Sequence, residues 1–104
     1  MLLEKKCIPC SIGDLPLNEG QLKDYLGQVK DWELKEGKIT KTFKFKDFKE
    51  ALDFTNKVGQ VAEDQGHHPV IELGWGFVKV SQWTSKIKGL HENDFIMAAK
   101  IDAL

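Results

Sequence analysis

Two of the three histidines stand side by side in Glu63-Asp64-Gln65-Gly66-His67-His68-Pro69, with two carboxylates just upstream. Imidazole has an unperturbed pKa of about 6.5, so it can give or take a proton near neutral pH. Adjacent imidazoles beside acids fit general acid–base catalysis, in which one group protonates a leaving atom and another removes a proton. The same stretch also reads as a plain surface turn. A second reactive pattern, Cys7-Ile8-Pro9-Cys10, has C-x-x-C spacing. Such a pair is a redox centre where it opens a helix after a buried strand, or half a zinc site where two further ligands exist. Here the loop-like Ser11-Ile12-Gly13-Asp14-Leu15-Pro16 follows, and there is no second cysteine pair. His67 and His68 would complete a zinc set only if the N-terminal segment folded across them. Cys7 and Cys10 are therefore read first as incidental or locally structural, with a metal site and a redox pair as the lesser readings.

The elements that must position the histidines follow from hydrophobic spacing. Before the pair, Asp47 and Glu50 make a capping-box-like start to the longest helix. Phe48, Ala51, Leu52, Val58, Val61 and Ala62 then recur at helical spacing as far as Gln65, where Gly66 ends the run. After the pair, Pro69 cannot continue a helix. Val70 to Trp75 reads as a strand, with Ile71, Leu73 and Trp75 on one face. Gly74 and Gly76 bracket a tight turn at Trp75, and Phe77 to Thr84 is the return strand. The pair thus sits where a helix hands over to a hairpin.

Residues 1–16 read as an extended N-terminal arm, and residues 17–104 as a single domain. Asn18 caps a first helix running to about Gly27-Gln28, with Leu22, Tyr25 and Leu26 on its apolar face. Trp32 and Leu34 mark a short strand, Glu36-Gly37 a turn, and Ile39 to Phe45 the return strand. Lys41 interrupts the apolar face of that strand, which places it near a sheet edge. Lys86 to Leu90 is a loop. Glu92 to Ala103 forms a last helix so apolar (Phe95, Ile96, Met97, Ala98, Ala99, Ile101) that more than one of its sides must be covered, and a subunit interface would do so. The order α-β-β-α-β-β-α with hairpin-linked strands predicts an α+β two-layer sandwich: a four-stranded antiparallel sheet with three helices on one face.

Bulk composition narrows the partners. A chain of 104 residues supports one core, and 41% hydrophobic with 30% charged residues is ordinary globular composition. A net charge of −1 gives no electrostatic basis for binding nucleic acid. No apolar run approaches membrane-spanning length, so no membrane association is expected. The N-terminal Met1-Leu2-Leu3-Glu4-Lys5-Lys6 lacks the apolar core of a signal peptide, and the expected location is cytoplasmic.

With the motif placed at a helix-to-strand junction, the chain resembles the pterin-4a-carbinolamine dehydratases from about Leu22 to its C-terminus. The residues that carry the likeness are Glu63-x-x-x-His67-His68-Pro69, the aromatic Trp75, and Gly89-Leu90-x-x-x-Asp94 opening the last helix. Trp32 after the first helix matches as well. The resemblance implies an α+β fold, a homodimer or homotetramer, and a pterin pocket beside the histidines. It also implies dehydration of a 4a-hydroxytetrahydropterin to the quinonoid dihydropterin without metal or cofactor, in pterin recycling for an aromatic amino acid hydroxylase.

By that resemblance His67, His68 and Asp94 form the catalytic group, and Glu63, Pro69, Trp75, Thr84 and Ser85 contact substrate. One histidine is the principal proton-transfer group and the other an auxiliary base or binding group. Glu63 hydrogen-bonds a ring nitrogen or the substrate, or is a solvated helix residue. Asp94 orients an imidazole or carries a pterin contact, or is only the N3 partner of a helix cap. Trp75 is a ligand contact, or core or interface. The chain departs from the family at Thr84-Ser85, where a Thr-His pair is usual. Serine has no titratable group near neutral pH. Trp83 is placed to fill part of the missing imidazole's space, and His91 falls in a helix-cap position. A weakened enzyme that acts as a protein-binding or dimerisation module, through its last helix, is the alternative.

Overall fold

The computed structural model describes residues 2–8 and 15–104. Three helices, α1 (Glu19–Leu26), α2 (Phe48–Gln65) and α3 (Glu92–Asp102), alternate with strand pairs β1 (Glu33–Lys35), β2 (Lys38–Lys44), β3 (Val70–Gly74) and β4 (Phe77–Gln82). The sheet order is β1-β2-β4-β3, with every neighbour antiparallel. This is the α+β two-layer sandwich that the hydrophobic pattern predicts. Ile39, Val78 and Val80 point inward and are fully buried beneath the helices. Thr40 and Ser81, paired across β2 and β4 on the opposite face, share a hydroxyl hydrogen bond of 3.2 Å.

Local chemistry sets the ends. Asn18 and Gln21 form a reciprocal capping box on α1. At α2 only half of the expected box forms: Asp47 accepts from the Glu50 amide, while the Glu50 carboxylate takes the amide of Lys46 instead. The β1–β2 turn uses positive φ at both Glu36 (52°) and Gly37 (75°), the twist that a two-residue antiparallel connection needs. The second hairpin is shorter than predicted. Trp75 falls in the turn rather than at the end of β3, and β4 stops at Gln82, leaving Thr84 in an isolated bridge to Gly89.

Packing bears on two expectations. Strand β2 lies between β1 and β4, but its pairing with β1 ends at Thr40, so Lys41 stands just past the stretch that β1 covers, near an edge as expected. Its ammonium is held by the Asp102 carboxylate at 2.7 Å and the Lys30 carbonyl at 2.8 Å, so a lysine on an inward face is tolerated because it is paired. The same carboxylate accepts from the Trp32 indole at 3.1 Å and from the Lys30 amide at 3.3 Å. It thereby ties the end of α3 to β2 and to the α1–β1 connection. The second, which packing corrects, concerns α3 itself. Phe95, Met97 and Ile101 are fully buried within the single chain, so its apolar surface is covered without a second subunit. Tyr25 of α1 stacks on Phe95 with ring centroids 5.2 Å apart.

The remaining flank of α3 is covered by the N-terminal residues, predicted as an extended arm. Residues 2–8 run antiparallel to α3 as a strap. Leu2 is buried in the core, Leu3 offers its carbonyl to Lys100, and Lys5 pairs with Glu92 at 2.8 Å. The hydrogen bond from Lys5, with a second from the Tyr25 hydroxyl, holds the Glu92 carboxyl below its ordinary value of 4.5 despite partial burial. Burial, with Glu92 beside it, pushes the Tyr25 hydroxyl up. Residues 9–14, including Cys10, lie outside the described residues.

Two outcomes follow from these contacts. Asp102→Ala leaves the Lys41 ammonium half-buried and unpaired and should cost about 2–3 kcal/mol, read as a lower urea midpoint with unchanged slope. The depressed Glu92 carboxyl contributes stability above its unfolded value that is lost as pH falls through its lower native value. Amide exchange at residues 2–8 should therefore accelerate in acid below about pH 4. Glu92→Gln should show fast exchange already at neutral pH and lose this acid step.

Candidate active site

The histidine pair is positioned by the way α2 ends. Gly66 adopts the left-handed conformation (φ 64°), and the amides of Gly66 and His67 both turn back onto the Ala62 carbonyl. A side chain at residue 66 would strain that turn. The chain thus leaves the helix with His67 turned towards the start of α3, while His68 faces outward. The β3–β4 hairpin then carries the chain away and back. Its register pairs Val70 with Ser81, so Thr84 returns beside the residues that precede β3.

At that point three elements meet on one carboxylate. Asp94, at the third position of α3, is fully buried. Its Oδ1 lies 2.7 Å from His67 Nε2. Its Oδ2 accepts from the Thr84 hydroxyl at 2.8 Å and from the His91 amide at 3.0 Å. A carboxylate oxygen only accepts, so His67 carries its proton on Nε2, and Nδ1 is left as a proton acceptor with no hydrogen-bond partner among the described residues. Three donors and the first turn of α3 together replace the water that this carboxylate gives up.

His68 is placed differently. Its Nε2 meets Glu63 Oε2, and both side chains are mostly exposed. An exposed pair of this kind contributes little to stability. Glu63 therefore contacts a ring nitrogen, one of the two uses foreseen for it. His91 is the N-cap of α3, its Nδ1 accepting from the Asn93 amide at 3.0 Å, so it is occupied as a cap as the sequence suggests.

A cleft of about 400 Å³ opens at this junction, lined by Cys7, Ile8, Gln65, Gly66, His67, His68, Trp83, Thr84, Ser85, Lys86 and Asn93. Of the predicted site residues it gathers His67, His68, Thr84 and Ser85, with Asp94 directly behind His67. Thr84 is almost fully buried with its hydroxyl committed to Asp94, which makes it a support for the carboxylate more than a surface for a ligand. Ser85 is exposed at the start of a short 3-10 turn, Ser85–Ile87. Trp83 lines the cleft, with the Lys38 ammonium 4.3 Å from its ring centroid. Glu63 and Pro69 are not in the lining. Neither is Trp75, which stands 69% exposed at the hairpin turn. At about 3.3 Å per residue, the five residues of β3 put roughly 15–20 Å of strand between it and the end of the hairpin where the histidines lie.

The residues that sequence reasoning missed are those of the opposite wall. The Cys7 amide donates to Gln65 Oε1 at 2.9 Å, and the Ile8 amide to Asn93 Oδ1 at 3.0 Å. The Cys7 thiol rests on the Asn93 carbonyl at 3.7 Å. No local signal announces contacts between residues more than 50 positions apart. The N-terminal segment does fold up to the histidine pair, the condition under which the two could share a metal. Among the described residues, however, no three His, Cys, Asp or Glu side chains converge as a metal site.

The family model for pterin 4 alpha carbinolamine dehydratase matches residues 15–104. A protein of Alkaliphilus metalliredigens assigned as a pterin-4-alpha-carbinolamine dehydratase is 50% identical over 97% of this chain and 93% of its own length. One of Methylococcus capsulatus with the same assignment is 51% identical over 99% of this chain and 92% of its own. Among solved structures, a transcriptional coactivator/pterin dehydratase from Brucella melitensis superposes with a TM-score of 0.81 and 32% identity, covering 85% of this chain and 96% of that one. A pterin dehydratase-like protein described as a RuBisCO assembly factor in the alpha-carboxysome superposes at 0.59 with 22% identity, covering 72% of this chain and 87% of that one, a likeness of fold.

Proposed function

The chain belongs to the pterin 4 alpha carbinolamine dehydratase family, and we propose that it dehydrates a 4a-hydroxytetrahydropterin to the quinonoid dihydropterin with His67 as general base. The observation that carries this reading is the bond from His67 Nε2 to buried Asp94, which leaves Nδ1 as an acceptor in a ring that lines the cleft. In the reaction, His67 Nδ1 takes the proton from N5. The N5–H electron pair forms the N5=C4a double bond as the C4a–O bond breaks and its electrons leave with oxygen. His68, in its protonated form, gives a proton to that oxygen, and water departs. Atoms and charge balance without an oxidant or a metal. Asp94 stabilises the imidazolium formed on His67, and Thr84 with the His91 amide keeps the carboxylate in place.

Ser85 stands where the family usually has a third imidazole, so the reaction here rests on two histidines. In this reading Glu63 orients His68, and Trp83 supplies an apolar surface for the bicycle. Pro69 acts only through the turn that it ends, and Trp75 reaches a pterin only if a second subunit brings it there. The chain is taken to work as a cytoplasmic homodimer or homotetramer in pterin recycling for an aromatic amino acid hydroxylase. None of the described helices is long and apolar enough to cross a membrane.

A second reading, a protein-binding module, draws on the coactivator named among the structural relatives. Since Phe95 and Met97 are buried, its surface would be α2, where Phe48 and Leu52 lie exposed one turn apart.

A dehydration assay tests these roles. His67→Ala should lower kcat by about 10²–10³-fold and His68→Ala by about 10²-fold. Asp94→Asn lets an amide N–H face the ring and reverses the tautomer, so kcat should fall by about 10–100-fold with little change in KM. Ser85→His should raise the rate. A wild-type protein no faster than the uncatalysed reaction, with Ser85→His equally silent, removes the enzyme reading and leaves the α2 surface to be tested by Leu52→Glu in a partner pull-down.

A further inference from the structure

The strap wall of the cleft has no part in the proton transfers, yet three of its backbone polar groups are fixed by side chains of the cleft. The Asn93 side chain is 2% exposed and grips Ile8 at two points: Oδ1 accepts from the Ile8 amide, and Nδ2 donates to the Ile8 carbonyl at 2.5 Å. Gln65 fixes the preceding amide, that of Cys7. The backbone polar groups that would otherwise meet a ligand are therefore largely spent on the protein, and the strap presents side chain to the cleft. Ile8 is 60% exposed although its own backbone and that of Cys7 are tied down. A lone exposed isoleucine is ordinary on a surface. One whose backbone is clamped at a cleft wall by a nearly buried amide is placed there.

We propose that Ile8 is a substrate-binding residue that packs on the pterin bicycle, and that Asn93 is the positioning residue that holds it on the cleft. This rests on the reading of the cleft as a pterin site. A pterin is a flat heterocycle with polar edges and weakly polar faces, and a branched aliphatic side chain suits its face as Trp83 does elsewhere in the lining. The strap and the proton-transfer groups belong to different parts of the chain, Cys7–Ile8 against His67–Asp94. Contacts to the strap should therefore act on binding, and the histidines on chemistry.

The test is a steady-state and binding comparison of the full-length protein with Ile8→Ala, Ile8→Leu, Asn93→Ala and the double variant. Binding is read by fluorescence titration with 7,8-dihydrobiopterin. Ile8→Ala should raise KM and the dihydrobiopterin Kd by about 5-fold with kcat within about twofold, and Ile8→Leu should restore both. Asn93→Ala should do the same, and the double variant should add little, because both changes remove one wall. Unchanged KM and Kd in Ile8→Ala, with normal wild-type turnover, overturns the strap's role and leaves the dehydratase reading standing. A fall in kcat alone in Asn93→Ala means that it acts through α3 and Asp94, which overturns its assignment. If Asn93→Ala does not fold, Ile8→Ala decides alone. A wild type that binds dihydrobiopterin without turnover moves the test to Kd, and one that neither binds nor turns over overturns both readings.

Discussion

A single buried carboxylate sets the register of this fold. Placing a carboxylate out of water costs several kcal/mol unless donors replace its hydration. Asp94 has three, and each comes from a different place: the ring of His67 after α2, the hydroxyl of Thr84 after β4, and the amide of His91 at the cap of α3. Charge-assisted hydrogen bonds of this kind are each worth about 1.5–3 kcal/mol, so the arrangement holds only when all three elements arrive together. The interaction that closes the fold is also the one that selects the tautomer of His67. Stability and proposed chemistry are here the same set of bonds.

Helix α3 is the axis along which this is organised. Its N-terminal turn holds Asp94, its middle fills the core with Phe95 and Met97, and its end carries Asp102, which gathers Trp32, Lys41 and the Lys30 amide. The strap runs along its open flank, anchored in the core by Leu2, at Glu92 by Lys5 and at Asn93 by Ile8. One helix therefore connects the hydrophobic core, the C-terminal ion pair and both walls of the cleft. The two histidines, though adjacent, inherit opposite environments from it. His67 is drawn inward to a buried acid, and His68 is left outside with an exposed one.

Much of this was legible in the chain. Helical spacing from Phe48 to Ala62, Gly66 as the stop, Pro69 as the barrier and alternation through the hairpins were enough for the element order and the sandwich, because each signal acts within a few residues. Local grammar also placed His91 at a cap and His67-His68 at a junction, and the likeness at Glu63, Pro69 and Asp94 pointed to the pterin chemistry. What failed were readings that treated a residue's character as its environment. Lys41 looked like an unpaired edge lysine; it does stand just past the end of β1, but it is ion-paired to Asp102. The apolar surface of α3 looked like a subunit interface and is covered by the chain's own N-terminus and α1.

The sequence by itself determined which segments are helices and strands and which side chains are of a type able to do acid–base chemistry, since these depend on short-range sterics, periodicity and residue type. Only the tertiary structure decided that His67 and not His68 meets Asp94, that Thr84 supports the carboxylate, that Trp75 stands at the far end of the hairpin, and that Cys7 and Ile8 wall the cleft. Those outcomes depend on the sheet register and on contacts between residues 27 and more than 80 positions apart. Such contacts are chosen by the burial of the whole chain at once, and no local pattern encodes them.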